Sequence, residues 1–132
     1  MTSIFTKIIQ GDIPCHRVAE NDKAIAFLDI RPLARGHCLV VPKREVDKLF
    51  DLPEADYLAL WSLCKQVAQA VETCMPCNRV GVAVLGFEVP HAHVHLVPMR
   101  SEEDLNFSNP KMVFTQEEFA AIASKITLAI TH

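Results

Sequence analysis

Three histidines, His91, His93 and His95, occupy alternate positions in one short segment of the chain. Successive side chains of a β-strand point to opposite faces, so on a strand these three imidazoles would share one face. Neighbouring members of the set would be about 6.6 Å apart along the strand. The residues that follow each histidine are apolar and would face a hydrophobic core: Ala92, Val94 and Leu96. The histidine face is therefore available to solvent, a metal or a ligand.

Three interpretations of this face are open. The first is a solvated strand surface, although alternation this regular is uncommon by chance. The second is a Zn²⁺ site, which two histidines at i and i+2 and a third ligand can form; Glu88, the nearby carboxylate, would point to the opposite face. The third is nucleophilic catalysis at phosphorus, in which the middle imidazole attacks and the flanking pair bind phosphate oxygens or the leaving group. With a pKa of about 6.5, imidazole suits both tasks near neutral pH.

The segments around the histidines predict an α+β fold with a mostly antiparallel sheet of about five strands, one long helix and shorter terminal helices. Apolar runs between turn residues predict strands at residues 24–29, 37–41, 79–84 and 92–98. The first two are joined by a short connection and should form a hairpin. Helical periodicity predicts helices at residues 3–10, at 53–72 with Asp51 as the cap, and after the capping box Thr115-x-x-Glu118. We expect one domain over residues 1–132.

Composition narrows the classes of function. Half of the 132 residues are apolar and the net charge is −3, so a core is available and no basic block exists to bind a nucleic-acid backbone. No apolar run approaches the ~18 residues of a membrane span. Lys7 and Asp12 interrupt the segment where a signal peptide would be apolar. We expect a protein that binds neither nucleic acid nor membrane.

The cysteines favour a reducing compartment. Five irregularly spaced cysteines are not typical of a disulfide framework, so we expect a cytoplasmic protein. Cys74-x-x-Cys77 has no second pair at zinc-finger spacing, and a structural or incidental role is expected. The histidines outside the candidate site, His16 and His132, are expected at the surface.

The segment His91-Ala92-His93-Val94-His95-Leu96-Val97 resembles the signature of the histidine-triad (HIT) family of nucleotide hydrolases and transferases. Further segments resemble the family in the same order, at residues 4–14, 26–32 and 36–43. The likeness covers almost the whole chain and is greatest to the small single-domain branch.

The resemblance implies a catalytic role for four histidines. His93 would attack the α-phosphorus of a nucleoside phosphoramidate or polyphosphate, and water would then release a nucleoside monophosphate from the nucleotidyl-histidine. His91 and His95 would orient the phosphate and transfer protons. His37 matches a fourth family histidine on a neighbouring strand. This chemistry implies no metal or other cofactor.

The resemblance also implies a nucleoside slot and a twofold dimer. Asp29 matches the acidic residue that binds the ribose hydroxyls, and Gly86 retains a place where backbone N–H groups can approach an oxyanion. Apolar residues match those around the base: Phe5, Ile8, Phe27 and Ile30, with Ile13 as a further wall. Apolar walls offer no hydrogen-bonding groups that distinguish one base from another. We therefore expect a purine nucleotide, bound with loose base specificity. A homodimer through the long helix, with its Trp61, and a sheet edge is expected.

Two departures from the family pattern keep alternatives open. Many members bind a structural zinc through an amino-terminal Cys-x-x-Cys, whereas this chain has Ser3 and Thr6, so that zinc site should be absent. Gly86-Phe87-Glu88-Val89 replaces the usual Gly-Gln-Ser/Thr-Val, and Phe87 cannot form a glutamine's hydrogen bonds. Glu88 would repel phosphate if it faced the pocket. The alternatives are a nucleotide-binding module with little turnover and a metal-binding or metal-dependent hydrolase that uses the same histidines.

Overall fold

A computed structural model describes residues 2–131 of the chain. Within these residues, five strands form one sheet in which every neighbouring pair is antiparallel, in the order β1-β2-β3-β5-β4. The strands are β1 (Arg17–Glu20), β2 (Ala24–Leu28), β3 (Cys38–Pro42), β4 (Arg79–Ala83) and β5 (Val94–Met99). The α+β class, the mostly antiparallel sheet and the hairpin of β2 and β3 are confirmed.

The described residues form three α-helices: α1 (Ile4–Ile9), α2 (Glu54–Cys74) and α3 (Gln116–Ala129). Helix α3 begins with the predicted capping box, in which the side chains of Thr115 and Glu118 each bind the other residue's backbone N–H. The prediction that Asp51 caps α2 is wrong, because Asp51 belongs to a 3-10 turn and Pro53 is the N-cap. A proline supplies no side-chain acceptor, so the first turn of α2 lacks a side-chain cap.

Strands β2 and β3 are buried on both faces of the sheet, which explains why their sequences are continuous apolar runs. One face packs against α2 and α3 through a cluster that includes Ala24, Ala26, Leu28, Cys38, Val40, Ala92, Val94 and Leu96. The opposite face packs against α1 through a smaller cluster: Phe5, Ile25, Phe27, Leu39 and Val41. The predicted core-facing side of the histidine segment is therefore confirmed, and the histidines belong to the α1 side.

Three features of the secondary structure differ from the sequence expectations. Strand β1 was not predicted, because it is four residues long, has one buried residue (Val18) and contains a register shift. Strand β5 begins at Val94, so His91 and His93 precede it. The polar stretch after β5 includes a 3-10 turn, Glu102–Leu105, stabilised by a capping box at Ser101 and Asp104. His132 lies outside the described residues.

The five cysteines are free thiols of low reactivity. Burial raises the pKa of Cys64 to about 12 and raises that of Cys38 further. Burial also raises the pKa of Cys74 and of Cys77, so both thiols stay protonated at neutral pH. None of the helices in the described part of the chain is long and apolar enough to cross a membrane.

Gly36 supports the turn that positions His37, and its replacement should be more costly than that of Gly11. Both glycines have a positive φ, +99° and +86° respectively. A Cβ atom at Gly36 would lie 2.8 Å from Met75 Cγ, whereas one at Gly11 would meet nothing within 4 Å. We expect Gly36→Ala to lower the free energy of unfolding by about 1–3 kcal/mol more than Gly11→Ala, measured by urea denaturation. Equal losses would show that Met75 moves aside without cost.

Candidate active site

A cleft of about 600 Å³ lies on the α1 side of the sheet. Its walls come from α1, the end of β2, Leu39 of β3, residues 85–89, the histidine segment and the stretch after β5. Every residue that the sequence predicted for substrate binding lines it: Phe5, Ile8, Ile13, Phe27, Asp29, Ile30 and Gly86. The chain thus brings these side chains together, and their binding roles stay predictions.

The four predicted catalytic histidines form two layers. His93 and His95 line the cleft, whereas His91 and His37 lie beneath it and are almost fully buried. The pairing of Leu39 with His95 across β3 and β5 places His37, just before β3, against His95. His37 Nε2 lies 3.0 Å from His95 Nδ1.

A backbone carbonyl fixes the tautomer of His93. Its Nδ1 lies 2.7 Å from the carbonyl oxygen of His91. A carbonyl oxygen only accepts hydrogen bonds, so Nδ1 of the neutral ring carries the proton and Nε2 carries the lone pair. The ring of Phe5 packs edge-on against that of His93, with centroids 4.9 Å apart. This ring is therefore oriented and has its unprotonated nitrogen free to act as a nucleophile.

A second chain of hydrogen bonds fixes the tautomers of His37 and His95. The backbone N–H of Leu33 donates to His37 Nδ1 at 3.0 Å, so the proton of neutral His37 resides on Nε2. That Nε2–H donates to His95 Nδ1, which leaves the proton of His95 on its own Nε2. His95 therefore presents an N–H donor and His93 presents a lone pair.

The imidazoles of His37 and His95 are both neutral at neutral pH. Burial, with a smaller contribution from His95, lowers the pKa of His37 to about 3. Burial, together with the neighbouring His93, lowers the pKa of His95 to about 4. The approach of Asp29 Oδ2 to His37 Nε2, 3.5 Å, is consequently not an ion pair.

His91 uses both ring nitrogens within the protein. Its Nε2–H donates to the carbonyl oxygen of Pro42 at 2.8 Å, and its Nδ1 lies 2.6 Å from the hydroxyl of Ser3. Burial is the main cause that lowers the pKa of His91. The ring of His91 is thus a fixed internal element, and its backbone carbonyl is the group that reaches His93.

The hydrogen bonds of the four histidines favour a site that works through ring N–H groups and lone pairs over a site that binds a metal ion. Since His91 has both nitrogens engaged, the three alternating histidines do not offer a common set of ligand atoms. Among residues 2–131, Asp29, His37 and His95 place ligand atoms within 4.8 Å of one another. A metal on His37 Nε2 would move the proton to Nδ1, where the Leu33 N–H already points. Two opposed donors would leave a buried group unsatisfied, at a cost of about 1–3 kcal/mol.

Asp29 presents a partly buried acceptor at the end of β2. The backbone N–H of Arg31 donates to its Oδ1 at 2.9 Å. Burial raises the pKa of Asp29, and the Arg31 N–H, His93 and Lys111 oppose this effect. The second carboxylate oxygen can accept from a hydroxyl group in the cleft.

Comparison with known proteins identifies the group to which this chain belongs. Residues 10–102 match the HIT domain. The chain is 35% identical to adenosine 5′-monophosphoramidase hnt1 of Schizosaccharomyces pombe over 98% of this chain and 99% of that protein. The chain belongs to the HIT family.

Other HIT proteins agree with this assignment. Adenylylsulfatase HINT3 of Arabidopsis thaliana is 30% identical over 76% of this chain and 53% of that protein. The crystal structure of a HIT-like protein from Bartonella henselae superposes with a TM-score of 0.86, at 30% identity, over 98% of this chain and 96% of that one. That structure contains an unknown ligand.

The segment that departs from the usual HIT pattern borders the cleft. Leu85 to Val89 line it, and the side chain of Phe87 is 96% exposed. Glu88 is also exposed, so its carboxylate can be solvated at the mouth of the cleft. These residues supply no amide side chain, and the binding of an oxyanion by the backbone at Gly86 stays a prediction.

The structure adds three cleft or support residues that sequence reasoning did not assign. Phe107 packs edge-on against His95, with ring centroids 4.7 Å apart, and Lys111 lines the same wall. Lys111 Nζ donates to the carbonyl of Asn109 at 3.1 Å, which ties this segment together. A lone aromatic residue in the polar stretch was the available signal for Phe107. The third residue is Ser3, whose hydroxyl binds His91. The sequence pattern indicates Ser3 only as a position where a family zinc ligand is missing.

The buried histidines should make folding stability sensitive to acid. An unfolded histidine titrates near 6.5, whereas His37 in the folded protein has a pKa of about 3. Between these values the unfolded chain binds the proton and the folded one does not, so stability declines as the pH falls below about 6.5. Each such histidine contributes up to about 1.4 kcal/mol per pH unit.

Urea denaturation at about pH 6 and pH 5 tests this dependence. We expect the loss of unfolding free energy between these pH values to be smaller in His37→Gln than in the unaltered protein, by up to about 1.4 kcal/mol. His16→Gln is the matched control, because His16 stacks on Phe119 away from the cleft, and it should keep the original slope. An unchanged slope in His37→Gln would contradict the assignment of a neutral His37.

Proposed function

We propose that this HIT protein is a nucleotide hydrolase that cleaves purine nucleoside phosphoramidates or related nucleoside polyphosphates at the α-phosphorus. The reaction proceeds through a nucleotidyl-histidine on His93 and releases a nucleoside monophosphate. The observation that carries this proposal is the 2.7 Å hydrogen bond from His93 Nδ1 to the His91 carbonyl, which leaves Nε2 as the lone-pair nitrogen. Relatives named adenosine 5′-monophosphoramidase and adenylylsulfatase support an adenosine nucleotide as the substrate class.

In the first step, the lone pair of His93 Nε2 forms a bond to the α-phosphorus as the bond to the leaving group breaks. The phosphorus–nitrogen or phosphorus–oxygen electron pair departs with the leaving group, which takes up a proton from solvent. His95 Nε2–H donates to a phosphate oxygen. Because the backbone carbonyl of His91 keeps the proton on His93 Nδ1, the attacking ring needs no change of tautomer before attack.

In the second step, water attacks the α-phosphorus and the phosphorus–Nε2 bond breaks. Imidazole is a good leaving group, because positive charge on the nucleotidyl-histidine ring is relieved when that bond breaks. The nucleoside monophosphate leaves, the proton of the water is lost to solvent, and His93 regains its lone pair. No step needs a metal.

The same cleft holds the nucleoside. Asp29, which lines the cleft and is held by the Arg31 N–H at its Oδ1, accepts hydrogen bonds from the ribose hydroxyls. Phe5, Ile8 and Phe27 contact the base. Apolar walls recognise a purine by shape and stacking, so the base specificity is loose.

The first test is release of adenosine monophosphate from adenosine phosphoramidate in the presence of a chelator. We expect the unaltered protein to release it and His93→Ala to lose at least about a thousandfold in kcat, because the covalent route is removed. His16→Ala, outside the cleft, is the matched control and should retain activity. Acid quenching during turnover should trap a nucleotide on His93, detected by mass spectrometry.

The other outcomes separate the alternatives. Tight binding of adenosine monophosphate without release from the phosphoramidate would indicate a binding module, in line with Phe87 and Glu88 at the mouth of the cleft. Activity lost with the chelator and restored by Zn²⁺ would indicate a metal-dependent hydrolase. Activity retained in His93→Ala would refute covalent catalysis by this residue.

We also propose a cytoplasmic homodimer that forms through α2 and the open edge of β4. Five free cysteines suit a reducing compartment. Strand β4 lies at the end of the sheet and exposes Val82, Val84 directly after the strand is also exposed, and α2 exposes Leu58. A second copy would cover this apolar edge.

Light scattering after size exclusion tests the dimer. The unaltered protein should elute as a dimer at micromolar concentration, and Val82→Lys should shift it towards monomer, because a lysine on the pairing edge opposes strand–strand contact. Leu128→Lys is the control, since Leu128 is an exposed apolar residue on α3. A monomeric unaltered protein, or equal effects of the two variants, would contradict this interface.

A further inference from the structure

One hydrogen bond connects the helix that forms a cleft wall to the triad. Ser3 is the N-cap of α1, and its hydroxyl oxygen lies 2.6 Å from His91 Nδ1. Phe5 and Ile8 of the same helix line the cleft. Phe5 also packs edge-on against His91 and His93, with ring centroids 5.7 and 4.9 Å away. Helix α1 and its N-cap therefore carry both the residues that line the cleft and the hydroxyl that binds His91, the neighbour of the nucleophile.

The direction of the Ser3 bond follows from its neighbours. His91 Nε2–H donates to the Pro42 carbonyl, so Nδ1 of the neutral ring must accept. The Ser3 oxygen already accepts from the backbone N–H of Thr6 at 3.0 Å. Its single proton is given to His91 Nδ1 at 2.6 Å, which is much nearer than the Thr6 hydroxyl oxygen at 3.3 Å. Ser3 and His91 are both buried, so water cannot easily replace this donor.

Glu45 anchors the helix through different atoms. Its Oε1 accepts from the Ser3 backbone N–H at 2.8 Å and from the Thr6 hydroxyl at 2.6 Å. These bonds hold the start of α1 without contacting the imidazole. The Thr6 hydroxyl also lies 3.3 Å from the Ser3 hydroxyl, but the bond from Ser3 to His91 does not depend on it. The anchoring bonds of Thr6 can therefore be removed while the donor to His91 is kept.

We propose that Ser3 is a positioning residue for the hydrolysis proposed above. Its hydroxyl holds His91 in the Nε2–H tautomer and in one ring orientation, and His91 in turn holds the carbonyl that orients His93. Loss of the hydroxyl frees one end of the His91 ring and loosens the peptide that binds His93 Nδ1. The kinetic part of this inference rests on the proposed function, whereas the tautomer of His91 does not.

Nitrogen NMR of the imidazoles tests the tautomer without any assay of activity. In the unaltered protein at pH 7, His91 should show a protonated Nε2 and an unprotonated, hydrogen-bonded Nδ1. Ser3→Gly removes the hydroxyl and keeps a residue that suits an N-cap, so the Nδ1 resonance should move towards that of a free lone-pair nitrogen. Ser3→Thr should keep the original resonance. A protonated Nδ1 in the unaltered protein, or an unmoved Nδ1 in Ser3→Gly, would overturn the proposal.

Kinetics test the consequence for His93. We expect Ser3→Gly to lower kcat for adenosine phosphoramidate about tenfold with KM nearly unchanged, because a buried hydrogen bond that supports the nucleophile is lost. Ser3→Thr should restore kcat. Thr6→Val is the matched control: it removes the bond to Glu45 and the 3.3 Å contact with the Ser3 hydroxyl, leaves the Ser3–His91 bond in place and should keep kcat close to that of the unaltered protein.

The two measurements distinguish the possible failures. An equal loss of kcat in Ser3→Gly and Thr6→Val would show that anchoring of α1 matters and that the bond to His91 does not, which overturns the positioning role. An unchanged kcat in Ser3→Gly would do the same. If the unaltered protein releases no nucleoside monophosphate, the proposed function fails and the kinetic role of Ser3 fails with it. The NMR result then decides the tautomer assignment separately.

Discussion

The site depends on one constraint: a backbone N–H can only donate and a backbone carbonyl can only accept. Leu33 N–H, the Pro42 carbonyl and the His91 carbonyl each bind a ring nitrogen and so decide where its proton resides. Side chains could rotate or titrate to satisfy a different tautomer, but the backbone of a folded sheet cannot. The chemistry of the cleft, a lone pair on one ring and an N–H on the next, is therefore determined by backbone groups at the end of β3 and in the segments that precede β3 and β5.

This constraint also explains how His37, His91 and His95 can be buried without charge. Burial of an imidazolium is costly, and it lowers the pKa of His37 and His95 far below the usual value. A neutral imidazole still needs one acceptor and one donor partner, and the hydrogen bonds supply both for His91 and His37. The apolar cluster on the other face of the sheet stabilises the strands that hold these partners in place.

Sequence periodicity could predict the parts of this arrangement that are local. Alternation placed Ala92 and Val94 in the core and the histidines opposite them, and the apolar runs predicted the hairpin of β2 and β3. The hydrogen-bond partners of His91 could not be found in this way, because Ser3 and Pro42 are 88 and 49 residues away along the chain. Short or irregular elements were also missed, such as β1, since a four-residue strand with one buried side chain has no measurable period.

Ser3 and Thr6 show how a change of residue type can keep a connection and alter its chemistry. The family resemblance places a zinc-binding cysteine pair at these positions, but the usual protein ligands of zinc are thiolates, imidazoles and carboxylates. A serine hydroxyl is a better hydrogen-bond donor than a thiol, and at 2.6 Å it binds Nδ1 of His91. In this chain, hydroxyl groups thus connect α1 to His91 and Glu45, and the position of the cleft wall depends on hydrogen bonds that a chelator cannot remove.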